Sequence, residues 1–446
     1  MTSAAPPAVP FAPGPRPRVA VIGAGVAGLT AAYLLDRSHD VTLFERNDYP
    51  GGHTHTVVLD RGPDAGTPVD TGFIVMNPRN YPLFSRLLAH LGVRLQGSDM
   101  SFSYHCERTG FHYAGTGLNG LFSQRRNLVS PAFWRLLRDI PRFNARARRD
   151  LAEGRLAGLA LGEYVDRLGL SAEFGERYLY AMAAAIWSSP AAAIRRFPAE
   201  SFARFFENHG LLSLAEVPQW QTVAGGSRTY VEELLRRFGG RLRLAAPVRE
   251  VRRAPDGVTV ATADGAERFD QAVIAAHADE ALALLADPTA EERRRLGAWT
   301  YSANRTVLHT DPAVLPPRRR AWASWNYARE ADAGPGSAGA GEGAPVSLTY
   351  YMNRLQRLTA DAPYCVTLNR AAPIAERHVI RELLYTHPRY TQESLATQAE
   401  LRRWNGNHRT WFCGSYFGYG FHEDAVRSGV EAARGLGWRD ETGIFG

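Results

Sequence analysis

The apolar residues Val19 to Ile22 run without interruption into Gly23-Ala24-Gly25-Val26-Ala27-Gly28, and an alanine- and leucine-rich stretch follows. This pattern predicts a buried strand, a tight turn and a helix, with Val41 to Phe44 as a second strand. Asp270 to His277 reads as a further buried strand, as does the stretch that ends at Gly414. Pro247 to Val251 and Val258 to Val260 alternate like strands of a small sheet. Residues from about 98 to 214 read mostly as helices, among them Leu159 to Leu168 and Ser171 to Ala185, with a breaker at 186–190. Residues from about 298 to 370 look strand-rich, with runs at Arg305 to His309, Ala321 to Asn326, Val346 to Met352 and Cys365 to Leu368.

The first turn carries chemistry. Gly23 permits the sharp turn, Gly25 lets backbone approach a pyrophosphate, and Gly28 lets the helix pack closely on the strand. The helix N-terminus, through Val26 and Ala27, offers free N–H groups to an anion. Glu45 ends the second strand 22 residues after Gly23, where a carboxylate can take two hydrogen bonds from an adenosine ribose. Strand, glycine triplet, helix, strand and acid in that order define a Rossmann-type α/β unit.

Composition narrows the rest. The chain has 446 residues, of which 45% are hydrophobic, enough for two domains or one large interleaved one. The cysteines Cys106, Cys365 and Cys413 form no paired motif, which points to a reducing compartment and away from a metal site. No apolar window is long enough to span a bilayer. The proline-rich leader, residues 1–17, reads as disordered rather than as a signal peptide. All 52 cationic residues are arginine, so a Schiff base and a lysine general base are excluded. The net charge of +7 suits acidic partners, nucleic acid and anionic lipid alike, and charge alone does not choose between them; the expected partner is an anionic lipid surface and no nucleic acid.

After Glu45 come Arg46, then Gly51-Gly52-His53-Thr54, and later Val69-Asp70-Thr71-Gly72; further on stands Val223-Ala-Gly225-Gly226-Ser227-Arg228. These segments resemble the flavin amine oxidase and phytoene desaturase superfamily. The resemblance implies FAD, with Gly51 and Gly52 against its diphosphate and the backbone of Val248 on its adenine. His53 occupies the family's arginine position, which removes a guanidinium's bidentate phosphate contact. Gly414-Ser415 replaces the usual Gly-Asp pair and weakens an acidic contact to a hydroxyl. The helix opening near Glu423-Asp424-Ala425 would place its N–H groups at the flavin edge. His277 reads as a structural group, and Cys413 as a core thiol. No lysine holds a water at the flavin.

The resemblance covers nearly the whole chain after Arg18. It implies an α/β fold with a discontinuous Rossmann-type FAD-binding domain (18–97, 215–297 and 400–446) and an inserted α+β substrate domain (98–214 and 298–399). DTGFIVMNPRNYP, AAAIWSSP, LTYYMNRLQ, LNRAAPI and FCGSYFGYGFHEDAVRSG look like the bacterial flavoproteins of cyclopropane, methyl-branched and furan fatty-acid synthesis. The implied substrate is a fatty acyl chain, free or esterified in phospholipid. The implied reaction is desaturation, in which an allylic C–H gives a hydride to flavin N5. His422 is the first candidate base because its ordinary pKa lies near neutral pH; Glu423, Tyr416 and Tyr419 follow. Double-bond isomerisation, amine oxidation and a flavoprotein that delivers lipid to a methyltransferase-type partner stay open. Aromatic residues gather at Phe73, Trp187, Trp322, Trp325, Tyr350 and Tyr351 and in the 416–421 loop; many belong to the core, and those of the loop are the candidates to line an apolar pocket.

Residues 124–150 hold eight arginines against Asp139 and Asp150. Phe133, Leu136, Leu137, Ile140 and Phe143 form an apolar stripe at helical spacing, with Arg135, Arg138, Arg142 and Arg149 around the other side. Pro131 suits the helix start and Pro141 predicts a kink. One reading is an inserted helix with a solvated face. The other is an interfacial helix that holds a cytoplasmic enzyme reversibly on the inner face of an anionic membrane.

Overall fold

Strands buried on both faces carry unbroken apolar runs, and Arg18–Ile22 follows that rule, with Val19 to Ile22 all buried. It is the centre of a five-stranded parallel sheet with the order Arg241–Arg243, Asp40–Phe44, Arg18–Ile22, Gln271–Ile274, Thr410–Phe412. The structure is a computed structural model that describes residues 16–187, 189, 191–213, 218–331 and 347–445. The leader up to residue 15, most of the Ala331–Pro345 segment and part of the 186–190 breaker lie outside the described residues.

Helix Val26–Leu35 is buried on almost every side, packed between this sheet and helix His422–Gly435. A three-stranded antiparallel sheet, Glu250–Ala254, Gly257–Thr262 and Gly265–Phe269, follows the alternation of its sequence.

The second large sheet has seven strands, ordered Val379–Pro388, Tyr301–His309, Cys365–Leu368, Ser347–Tyr351, Trp325–Arg329, Phe102–Cys106, Phe111–Ala114. Residues 98 to 214 are mostly helical, as expected, but their first part supplies the last two of these strands. FSYHC and FHYA are short, aromatic and paired with each other, and Phe102–Cys106 also pairs in parallel with Trp325–Arg329. The run at Ala321 becomes a strand only at Trp325, because Arg319–Ala321 forms a 3-10 turn. The long Ser171 helix is interrupted by a π-helical stretch, Gly175–Leu179.

Helix Pro131–Ala152 has Pro131 in its first turn and Ser130 as its cap, and it runs through Pro141 as one element. Asp139 and Asp150 lie buried on its inner face. Arg138 and Arg142 bind Asp139 at 3.0 and 2.9 Å, Arg146 and Arg155 bind Asp150 at 2.9 and 3.0 Å, and Arg135 binds Glu173 at 2.5 Å. Burial pushes the Asp139 carboxyl up, but bonds from Ser171 and the two arginines outweigh it and bring it down to about 2. Arg148 and Arg149 also face carboxylates, Glu207 and Glu153. The helix body therefore pairs its half-exposed arginines with the protein's own carboxylates, and its cationic face is largely neutralised.

Candidate active site

The first turn leaves open space where the sequence places a phosphate. Gly25 caps helix Val26–Leu35 in an extended conformation at φ −71°, and no side chain bonds the first N–H groups. A Cβ built on Gly25 would meet nothing within 4 Å, whereas one on Gly28 would lie 1.9 Å from the Gly23 carbonyl oxygen. The Gly51 N–H donates to the Ala24 oxygen at 2.8 Å, and a Cβ on Gly52 would stand 3.2 Å from the Gly25 Cα. The two glycine turns thus close on each other around that space.

Glu45 is buried at the strand end. One of its oxygens accepts the Ala24 N–H at 2.8 Å and the other accepts the backbone and side-chain N–H groups of Asn47 at 2.9 Å. Ala246 N–H donates to the Glu45 oxygen and Ala245 N–H to that of Asn47, which brings the segment leading to Val248 alongside. Arg46 turns away to Glu280, 2.7 Å distant. An open, uncapped helix start beside a buried acid at the next strand end fits the diphosphate and ribose of FAD.

His53 is partly buried, with its Nε2 shielded from solvent. Its ring lies 5.1 Å from that of Tyr385, 5.3 Å from His387 and 6.1 Å from His277, and its Nε2 has no hydrogen-bond partner among the described residues. Burial, then the imidazoles of His387, His277 and His422, hold its pKa well below the usual value. Burial likewise takes His387 down to about 4. A neutral imidazole group therefore stands where the family's arginine is expected. His277 stacks on Tyr301 at 4.3 Å and caps helix Ala278–Leu284, in keeping with a supporting role. His387 faces the buried Asn304, with Nδ1 and Nδ2 2.9 Å apart. Sequence reasoning missed Tyr385, His387 and Asn304; the polar residues of Thr386-His387 at the end of a long strand were the available signal.

The four candidate catalytic side chains do not converge. His422 is partly buried, stacked on Phe73 at 3.7 Å, with Nε2 3.0 Å from Thr54 Oγ1 and 3.3 Å from the Tyr230 hydroxyl. Burial brings its pKa down to about 3, so it is neutral and a weak base at pH 7. Glu423 accepts the N–H groups of Leu83 and Phe84 and closes the start of helix Pro82–Leu91. Asp424 accepts those of Tyr419 and Phe421 and shapes the loop. Tyr416 is buried beside Trp299, its hydroxyl without a partner among the described residues. Gly414 N–H donates to Ser428 Oγ at 2.9 Å, the carbonyl oxygen of Ser415 accepts the N–H groups of Gly418 and Gly420, and Ala425 packs in the core. Cys413 is a buried thiol whose pKa burial pushes up to about 12.

Tyr419 and Phe421 do reach an aromatic junction. Phe205, on helix Ala199–Asn208, stacks on Phe421 at 5.0 Å, lies 6.1 Å from Tyr419 and 4.8 Å from Trp187. His209 stacks on Phe205 at 3.8 Å, and burial takes it down to about 4. The other aromatic residues gather elsewhere: Trp322 pairs with Tyr351 and Trp325 with Tyr350. The FFEN spacing of Phe205 and His209 was the overlooked signal.

The sequence profile of flavin-containing amine oxidoreductases matches residues 26–436. A Mycobacterium tuberculosis protein named as a flavin-containing monoamine oxidase, AofH, is 27% identical over 281 residues, which are 60% of this chain and 59% of that protein. The chain thus spans somewhat under two thirds of that relative's length. Hydroxyneurosporene desaturase of Rubrivivax gelatinosus is 41% identical over 80 residues, 18% of this chain and 14% of its own. Among solved structures, a fatty acid isomerase from P. acnes superposes with a TM-score of 0.65 at 17% identity, covering 94% of this chain and 98% of its own.

Proposed function

The chain belongs to the family of flavin-containing amine oxidoreductases, and from that premise we propose that it is an FAD-dependent oxidoreductase that desaturates an unsaturated or methyl-branched fatty acyl chain, free or esterified in phospholipid. The observation that carries this reading is the junction of Trp187, Phe205, Tyr419 and Phe421, with the neutral His209 beside it. Packed aromatic faces of this kind suit a hydrocarbon. The carboxylates that act on Tyr419 are Asp424, occupied by backbone N–H groups and Arg427, and Glu200, paired with Arg204. Desaturation removes one C–H as hydride and a neighbouring C–H as proton. FAD, when bound, supplies the two-electron acceptor, which passes the pair on to oxygen or another oxidant.

With His422 neutral and partly buried, the chain contributes orientation and exclusion of water more than a strong base. A second reading, amine oxidation, is favoured by the match to AofH, and ring faces such as those of Tyr419 and Phe421 also attract cations. Double-bond isomerisation is the third. Mass spectrometry of products from defined acyl lipids, with oxygen uptake followed in parallel, separates desaturation from isomerisation. The expected product is lighter by two hydrogens, with one acceptor reduced per turnover. A product of unchanged mass, formed without acceptor reduction, contradicts desaturation.

A further inference from the structure

Seven large hydrophobic side chains are exposed among the described residues, and four of them, Leu118, Leu128, Val129 and Trp134, lie within seventeen consecutive positions, 118–134. Val129 is 82% and Leu118 75% exposed, values that a monomer's core-forming residues do not show. The segment is one folded knob. Phe122 packs between the rings of Phe133 and Trp134, at 5.9 and 5.8 Å, and the Trp134 indole N–H donates to the Leu128 oxygen at 2.9 Å. The apolar tips are therefore fixed outward by internal bonds.

The charge around this knob differs from that of the helix behind it. Arg125 and Arg126 donate only to backbone oxygens, those of Phe122 and Thr109. The turn Arg319–Ala321 packs on helix Leu118–Leu121, and the consecutive Arg318, Arg319 and Arg320 are exposed there. None of these five arginines meets a carboxylate among the described residues. The contact between that turn and helix Leu118–Leu121 brings Arg318 to Arg320 against the same knob that carries Arg125 and Arg126. Six arginines of helix Pro131–Ala152, by contrast, are ion-paired.

We propose that this knob, with its apolar tips Leu118, Leu128, Val129 and Trp134 ringed by Arg125, Arg126 and Arg318 to Arg320, docks the protein on an anionic lipid bilayer. Apolar and indole side chains enter the interfacial layer while unpaired guanidinium groups meet lipid phosphates, an arrangement complementary to a negative membrane surface. The body of the arginine-rich helix is then a support, and its tip is the contact. The inference goes beyond the proposed reaction and is read without turnover, so failure of one leaves the other standing.

The test is sedimentation of the full-length holoprotein with vesicles of phosphatidylcholine alone or mixed with phosphatidylglycerol. Binding is expected only to the anionic vesicles and should weaken with salt. Arg318→Gln/Arg319→Gln/Arg320→Gln should weaken it by about fivefold per residue at low salt, and Leu118→Ser/Val129→Ser should weaken it without changing the melting temperature. Arg61→Gln/Arg236→Gln/Arg252→Gln, which removes the same charge from exposed positions elsewhere, should bind as the parent does. Equal binding to both vesicle types, no binding to either, or equal loss in the remote triple variant overturns the proposal.

Discussion

Gly25→Val is expected to give a folded protein that purifies nearly free of flavin. The backbone at Gly25 is extended, φ −71° and ψ 174°, a region valine occupies without strain. Its Cβ would meet nothing within 4 Å, so the empty fold tolerates the side chain. The space it fills is the one over the free N–H groups at the helix start, where a diphosphate must lie. Loss of affinity on the order of 100-fold, about 3 kcal/mol, would follow. Gly28→Ala should behave in the opposite way. Its Cβ would stand 1.9 Å from the Gly23 oxygen and 3.0 Å from the Ala275 Cβ, so it should unfold or aggregate whether or not flavin is supplied. Flavin-to-protein absorbance ratios and circular dichroism melts of both variants decide the matter. A fully yellow Gly25→Val protein would contradict the placement.

Asp70→Ala should cost about 3 kcal/mol or more of folding stability. Asp70 is fully buried and accepts the Ser227 N–H at 2.8 Å, the Ser227 hydroxyl at 2.8 Å and the Thr56 hydroxyl at 2.5 Å, and its own N–H donates to Gln356 Oε1 at 3.0 Å. Alanine would strand three donors in the interior and uncouple the segment Pro68–Asp70 from the turn that opens helix Arg228–Arg237. The pH dependence has a definite sign. Burial pushes the Asp70 carboxyl up to about 6 from its ordinary 3.8, with the Thr56 and Ser227 bonds opposing. A folded pKa above the unfolded one means the native state holds the proton more tightly. This group's stabilisation is therefore full below the unfolded pKa and is lost as pH rises through about 6. Against Asp70→Asn, which has nothing to titrate there, the parent should gain roughly 2 kcal/mol between pH 7 and pH 4. Urea unfolding of both proteins across that range measures it, and a constant difference would contradict the shift.

The nucleotide end is legible in the sequence because a turn that admits a phosphate needs glycines at fixed intervals and an acid one strand later. Those demands are local, and the structure meets them at Gly23, Gly25, Gly28 and Glu45. The histidine group is not legible, since His53, His277 and His387 come from distant segments that are joined through the pairing of Val379–Pro388 with Tyr301–His309. The tie between Asp70 and Ser227 is hidden for the same reason, although both motifs stand out separately. His422 looks like a base in sequence because its ordinary pKa is near neutral; its burial under Phe73, which lowers that value, depends on tertiary packing. The arginines of residues 124–150 look alike in sequence, and only the positions of Asp139, Asp150, Glu173 and Glu207 divide the paired ones from Arg125 and Arg126. The strands at Phe102–Cys106 and Phe111–Ala114 escape notice because their far partner, Trp325–Arg329, follows in the chain much later.

The central claim is that an acyl chain, and not an amine, reduces the enzyme-bound flavin. Anaerobic stopped-flow mixing of the yellow holoprotein with a panel of unsaturated and methyl-branched phospholipids and fatty acids, beside a panel of primary and secondary amines, tests it directly. The account expects the yellow absorbance to bleach with at least one acyl substrate and to persist with every amine. Bleaching by an amine while all acyl lipids leave the flavin oxidised would contradict it.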